Sequence, residues 1–168
     1  MLGAFLERGY PMLGDDISGI RLGDHDRPEV LPAFPEARLW VDSAGKLGHD
    51  VESMGRLHPD WEKYSLSAAD RFAADPSPLL ALYALEPWEE DSIEIDDLTN
   101  SQKFDVVIRS TYWRDVVDGL GLRPSHFRLA VAAANAAVVR RVRRPISGFR
   151  LRELADAVEA DFRGLRPR

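Results

Sequence analysis

The sequence predicts a mixed α/β (α+β) domain in which strands come first and helices later. Short apolar or alternating runs at 17–22, 79–85 and 92–98 fall in the first hundred residues, where period-two alternation marks half-buried strands. Longer helical patterns fill the rest and end in an amphipathic stretch at 151–162, with Leu151, Leu154, Ala155, Val158 and Phe162 on one side. The chain of 168 residues suits one domain spanning 1–168, since domains run roughly 100–200 residues.

Taken in order, residues 1–8 read as the end of a helix. Leu2, Phe5 and Leu6 share a face, and Gly9 follows as a C-terminal stop. Tyr10-Pro11-Met12-Leu13-Gly14 is a short apolar segment, expected to be a buried strand, that leads into Asp15-Asp16. A strand follows at 17–22, then turn chemistry in Gly23-Asp24-His25-Asp26-Arg27-Pro28. Residues 29–32 and 38–40 read as short strands around a proline-rich loop. A brief helix at 41–47 is expected to be capped by Asp42 or Ser43 and stopped by Gly48. The stretch 49–75 carries the least regular pattern and reads as long loops.

A buried strand at 79–85 is expected to pair with 92–98 through a solvent-facing acidic connection containing Pro87-Trp88. Thr99 or Asn100 then caps a helix at 102–112. Further helices are expected at 113–119 and at 125–135, the last capped by Ser125, before a final strand at 136–142 and the closing helix.

Composition narrows the function. Hydrophobic residues make up 45% and charged residues 30%, enough apolar material for a packed core. A net charge of −6 argues against a nucleic-acid partner, because neutralising phosphates needs a concentrated basic surface. The absence of cysteine excludes disulfides and thiolate zinc sites. The longest apolar run, 129–139, is interrupted by Asn135 and is too short to span a bilayer. No secretion signal opens the chain, so a cytoplasmic protein is expected. Charge is uneven, with an acidic stretch at 86–97 and an arginine cluster at Arg140, Arg141, Arg143 and Arg144. Such asymmetry marks either solvated faces or an interaction surface.

The segment with chemical content is Arg8-Gly9-Tyr10-Pro11-Met12-Leu13-Gly14-Asp15-Asp16. Two adjacent carboxylates at the carboxyl end of a strand stand where open α/β sheets bind ligands. One can accept a hydroxyl proton while the other holds a divalent ion, the division that phosphoryl transfer requires. An acidic turn without chemistry is the plain alternative.

The same segment, continued by Ile17-Ser18-Gly19-Ile20-Arg21-Leu22, resembles the HPr kinase/phosphorylase-related serine kinases. Further similar segments follow in the expected order. They are Leu31-Pro32-Ala33-Phe34-Pro35 before Arg38-Leu39-Trp40, His58-Pro59-Asp60-Trp61-Glu62-Lys63, residues 79–85, and Val138-Val139-Arg140-Arg141 onward.

The resemblance implies the C-terminal part of an HPr kinase-like domain, of the P-loop and phosphoenolpyruvate-carboxykinase type. It further implies an ATP-dependent protein or peptide serine kinase using ATP and Mg²⁺, whose partner is a protein or peptide with a target serine, with room for a homo-oligomer. By resemblance Asp15 corresponds to the catalytic base and Asp16 to the carboxylate near the metal, or the reverse. Lys63 corresponds to a phosphate contact or a support for the active-site loop, with a solvent-facing lysine as the alternative, and Arg38 is placed in the same nucleotide pocket. The family's G-x-x-x-x-G-K-[ST] loop is missing from these residues, and the expectation is a domain truncated before residue 1 that is inactive or incomplete as it stands. The competing expectation is a non-enzymatic peptide- or protein-binding module derived from that fold, using the arginines at 140–144.

Other features carry less. The four histidines, His25, His49, His58 and His126, show no ligand spacing. Trp40, Trp61, Trp88 and Trp113 are scattered and read as packing residues.

Overall fold

The computed structural model describes residues 1–165. In chain order its elements are α1 (Leu2–Glu7), β1 (Gly19–Leu22), β2 (Pro28–Leu31), β3 (Glu36–Trp40), α2 (Val41–Lys46), β4 (Gly55–His58) and β5 (Trp61–Ser67). There follow β6 (Ser77–Pro78), β7 (Ala81–Trp88), β8 (Glu94–Asp97), α3 (Asn100–Arg109), α4 (Arg114–Gly119), α5 (Arg123–Ala136), β9 (Val138–Pro145) and α6 (Leu151–Gly164). The fold is mixed α/β, with every strand but β9 preceding α3. Two compact units are present: Met1–Gly19 with Val30–Pro76, and Ile20–Glu29 with the chain from Ser77 onward. A small sheet in the order β1-β2-β6 uses the turn-rich segment predicted around Gly23.

In the first unit, α1 ends as its sequence suggests. Gly9 takes φ +86°, a left-handed conformation that costs glycine little. Its N–H donates to the Leu6 carbonyl at 3.0 Å. Gly3 and Ala4, rather than the Leu2-Phe5-Leu6 face, are the buried residues of this helix.

The segment 10–14 is not the strand it was expected to be. Only Met12 pairs, in one parallel bridge to Phe72. Its N–H donates to the Arg71 carbonyl and its carbonyl accepts from the Ala73 N–H, each at 2.8 Å. The next N–H that would face that partner is Tyr10's, and it donates to the Phe5 carbonyl at 3.1 Å instead, so the ladder does not extend backward. Beyond the bridge the chain bends at Asp15-Asp16.

The sheet of this unit has the order β3-β5-β4 and is antiparallel. Register runs from Glu36↔Ser67 to Trp40↔Lys63. Ala37 and Ala44 are fully buried, and Leu47 from the α2 end joins them. Gly3 of α1 fits beneath Leu47, where a Cβ would come within 2.8 Å of Leu47 Cδ1.

Two expectations fail here. The α2 N-cap is Trp40, with no side-chain cap from Asp42 or Ser43, although Gly48 does stop the helix at φ +83°. The stretch read as long loops contains the β4–β5 hairpin. Every residue of β4 is exposed, so no apolar alternation announces it, and the two-residue Pro59-Asp60 connection resembles a loop signal.

In the second unit the sheet order is β7-β9-β8. β7 runs parallel to β9 from Ala81↔Val138 to Trp88↔Pro145, and β8 runs antiparallel to β9 from Glu94↔Arg143 to Asp97↔Arg140. The expected β7–β8 hairpin is therefore replaced by a sheet with β9 inserted between them. Val139 and Val142 of β9 are fully buried, and Leu98, Val106 and Val139 form a core cluster with Leu82 and Ala84 packed against it.

Charge explains part of the arrangement. The acidic stretch and the arginine cluster neutralise each other across the sheet. Arg143 reaches Asp96 at 2.8 Å and Glu94 at 2.9 Å, Arg141 reaches Glu86 at 3.5 Å, and Arg140 pairs with Asp97. Trp88 carries the Arg143 guanidinium over its ring at 4.4 Å.

Helix α3 opens on a capping box. The Thr99 N–H and its hydroxyl both donate to Gln102 Oε1, at 2.9 and 3.0 Å, and alanine loses the second. Thr99→Ala is expected to lower stability by about 1 kcal/mol, read as a shift of the urea midpoint at unchanged slope. Helix α5 begins two residues earlier than expected, with Pro124 in its first turn. Ser125 donates its hydroxyl to the Leu122 carbonyl at 2.9 Å instead of capping. The α6 face buries Leu154, Ala155 and Val158, whereas Phe162 stays 41% exposed.

Half-buried Tyr83 on β7 donates its hydroxyl to Asp161 of α6 at 2.7 Å. Burial, then the Asp161 contact, pushes the phenol well above its usual value of 10.0. A raised phenol pKa favours the folded state fully below pH 10. The unfolded chain releases the proton first as pH rises, so that stability is lost above about 10. Denaturant midpoints at pH 9 and pH 11 are expected to fall more for the wild type than for Tyr83→Phe. An equal fall would remove Tyr83 from the alkaline response. No helix among the described residues is long and apolar enough to cross a membrane.

Candidate active site

The bend at Asp15-Asp16 leans over one face of the β3–β5 pair. Burial alternates along β3, so Ala37 and Leu39 turn inward while Glu36, Arg38 and Trp40 turn outward. Antiparallel register sets Lys63 opposite Trp40 and Ser65 opposite Arg38, which places these side chains on the same outer face. The four residues that the sequence singles out, Asp15, Asp16, Arg38 and Lys63, therefore meet within one unit.

Their contacts differ. Asp15 Oδ2 accepts the Arg38 backbone N–H at 2.6 Å. That N–H faces the open edge of β3, where no strand pairs with it, and the carboxylate satisfies it. Asp16 Oδ2 accepts from Lys63 Nζ at 3.1 Å and lies 3.8 Å from Arg38 Nη1. The Lys63 side chain is 20% exposed against 50% for Arg38, and its ammonium sits 5.8 Å from the centre of the Trp40 ring. Such a cation–π contact holds the lysine stem against the sheet.

An open cleft of about 490 Å³ adjoins the bend, lined by the charged residues Asp15, Asp16, Glu36 and Arg38 and by apolar Ile17, Phe34 and Pro35. Phe34 is 73% exposed.

The aspartate pair thus does not cap a strand, as expected from sequence, but sits on a bend that borders a cleft. Sequence reasoning also missed Trp40, set aside as a packing residue although 56% exposed here. The period-two spacing from Arg38 to Trp40 already placed both on one strand face, which was the available signal.

No group of three His, Asp or Glu side chains among the described residues is disposed to hold a metal ion. The cleft suits a cation that brings most of its own ligands: Mg²⁺ is held by one or two carboxylates plus phosphate and water, and Asp16 supplies such a carboxylate. It does not suit an all-protein cage. His58 ends β4 beside the hairpin turn, where Nδ1 accepts the Asp60 N–H at 3.2 Å and the ring lies 5.0 Å from that of Trp61. The arginines at 140, 141 and 143 belong to the second unit and are spent on its own carboxylates.

No family model, curated protein or solved structure matches the chain.

Proposed function

We propose that the chain is the acid–base and cation-bearing part of an ATP-dependent serine kinase, related to the HPr kinases and acting on a protein or peptide. The observation that carries this reading is that Asp15, Asp16 and Arg38 line one cleft and Lys63 reaches Asp16 beside it. Phosphoryl transfer asks for a carboxylate to take the hydroxyl proton and for positive charge beside the transferred group, and both are within reach of this cleft.

Asp15 Oδ2 is anchored by the Arg38 N–H, which leaves Oδ1 to accept the proton as the serine oxygen bonds to phosphorus and the terminal P–O bond breaks. Arg38 and Lys63 offset charge on the phosphate oxygens. Mg²⁺, when bound at Asp16 with phosphate and water oxygens, supplies further charge neutralisation. A phosphate-cradling G-x-x-x-x-G-K-[ST] loop is not among these 168 residues, so transfer by them is expected to be slow and to need high nucleotide concentration.

The test is transfer of labelled γ-phosphate from saturating ATP to a serine-containing peptide library. Label on serine that depends on Asp15 supports the reading. No label, or label indifferent to Asp15, overturns it.

A non-enzymatic peptide-binding module is the second reading. It is favoured by the missing loop and by the exposed aromatic surface of Phe34, Trp40 and Trp61, at 73%, 56% and 57%. Peptide binding that survives replacement of both Asp15 and Asp16 by alanine would select it.

A further inference from the structure

We propose that Lys63 and Arg38 form a phosphate site which Asp16 fills as a built-in counter-ion, so that phosphate groups bind there by displacing a carboxylate. This deepens the phosphoryl-transfer reading of the same cleft and rests on it for the choice of a polyphosphate ligand.

Both cationic heads address one oxygen, Asp16 Oδ2, at 3.1 Å and 3.8 Å. That is the arrangement a single phosphate oxygen takes between two cations. The two partners are anchored differently. Lys63 and Arg38 stand on paired strands, two register positions apart on the outer face, and Lys63 is further steadied by Trp40. Asp16 stands on a bend outside any strand, its side chain 49% exposed. The cations therefore stay in place when the carboxylate moves, and exchange of one anion for another costs little beyond a half-exposed ion pair. Ser65, opposite Arg38 on the same face, adds a hydroxyl donor beside the site.

Removing an acidic residue that the resemblance assigns to the metal should strengthen metal-free phosphate binding. Inorganic pyrophosphate titrated calorimetrically at low salt with EDTA is expected to bind Asp16→Asn about tenfold more tightly than wild type, through loss of the internal competitor and of one repulsive charge.

Asp15→Asn removes the same charge from the same bend, but its carboxylate meets the Arg38 backbone rather than either cationic head. Its gain should be clearly smaller. Adding Lys63→Ala to Asp16→Asn should erase the tightening. Should Asp16→Asn misfold, Asp16→Ser serves in its place.

Equal gains from the two asparagine variants, no gain, or a gain that persists without Lys63 would each overturn the proposal. The titration needs no turnover. Tightening without serine labelling would sink the kinase reading alone, and labelling without tightening would sink the counter-ion alone.

Discussion

Asp15→Asn is expected to reduce labelled phosphate transfer to serine by at least about a hundredfold, within the range that general acid–base groups contribute. The substitution is nearly isosteric, and the asparagine carbonyl oxygen can still accept the Arg38 N–H that Asp15 Oδ2 accepts at 2.6 Å. The bend and the edge of β3 should therefore persist, and thermal melts of the two proteins should coincide. Only the ability to take a proton is lost, so the effect belongs in kcat and not in KM. Equal rates would remove Asp15 from the chemistry.

The second large effect concerns stability. Arg140→Ala is expected to cost about 2–3 kcal/mol, less than the loss of one partner from a fully buried ion pair but more than a surface pair. Arg140 and Asp161 are 16% and 21% exposed, with Nε 3.2 Å from the carboxylate. Asp161 also accepts the Tyr83 hydroxyl, and Arg140 also meets Asp97. Truncating the arginine leaves a partly buried carboxylate facing only a phenol. A fall in melting temperature of about 5–10 °C follows for a chain of this size. The double variant Arg140→Ala/Asp161→Ala should recover about 1–2 kcal/mol relative to additivity, because the stranded charge is gone. Strict additivity would mean that the pair contributes nothing.

Local signals were legible in the sequence where chemistry is local. Gly9 and Gly48 were expected to stop helices and both take positive φ; of the two caps expected for α3, Thr99 or Asn100, Thr99 is the N-cap. These features depend on one or two residues and their immediate backbone. Partner choice was not legible. The apolar run in β7 and the alternation in β8 identify strands but carry no information about what lies between them, and β9 enters from more than forty residues away. The β4–β5 hairpin escaped because exposed strands have no hydrophobic period to read.

At the candidate site the residue types were legible and their support was not. The succession of segments around Asp15, Asp16, Arg38 and Lys63 named the side chains that meet. The strand expected beneath the aspartates shrank to one bridge at Met12, since the Tyr10 N–H is taken by the Phe5 carbonyl at the end of α1. Trp40 escaped notice because an isolated tryptophan reads as core material until its strand partner, Lys63, is known.

Threading β9 between β7 and β8 also sets an order of events during synthesis. Both flanking strands leave the ribosome well before the segment that joins them, and each must wait with an open edge and uncompensated negative charge. Pairing at long sequence separation slows folding and prolongs exposure of those edges. A nascent chain arrested after α5 would hold every helix but the last and still lack the middle of its second-unit sheet.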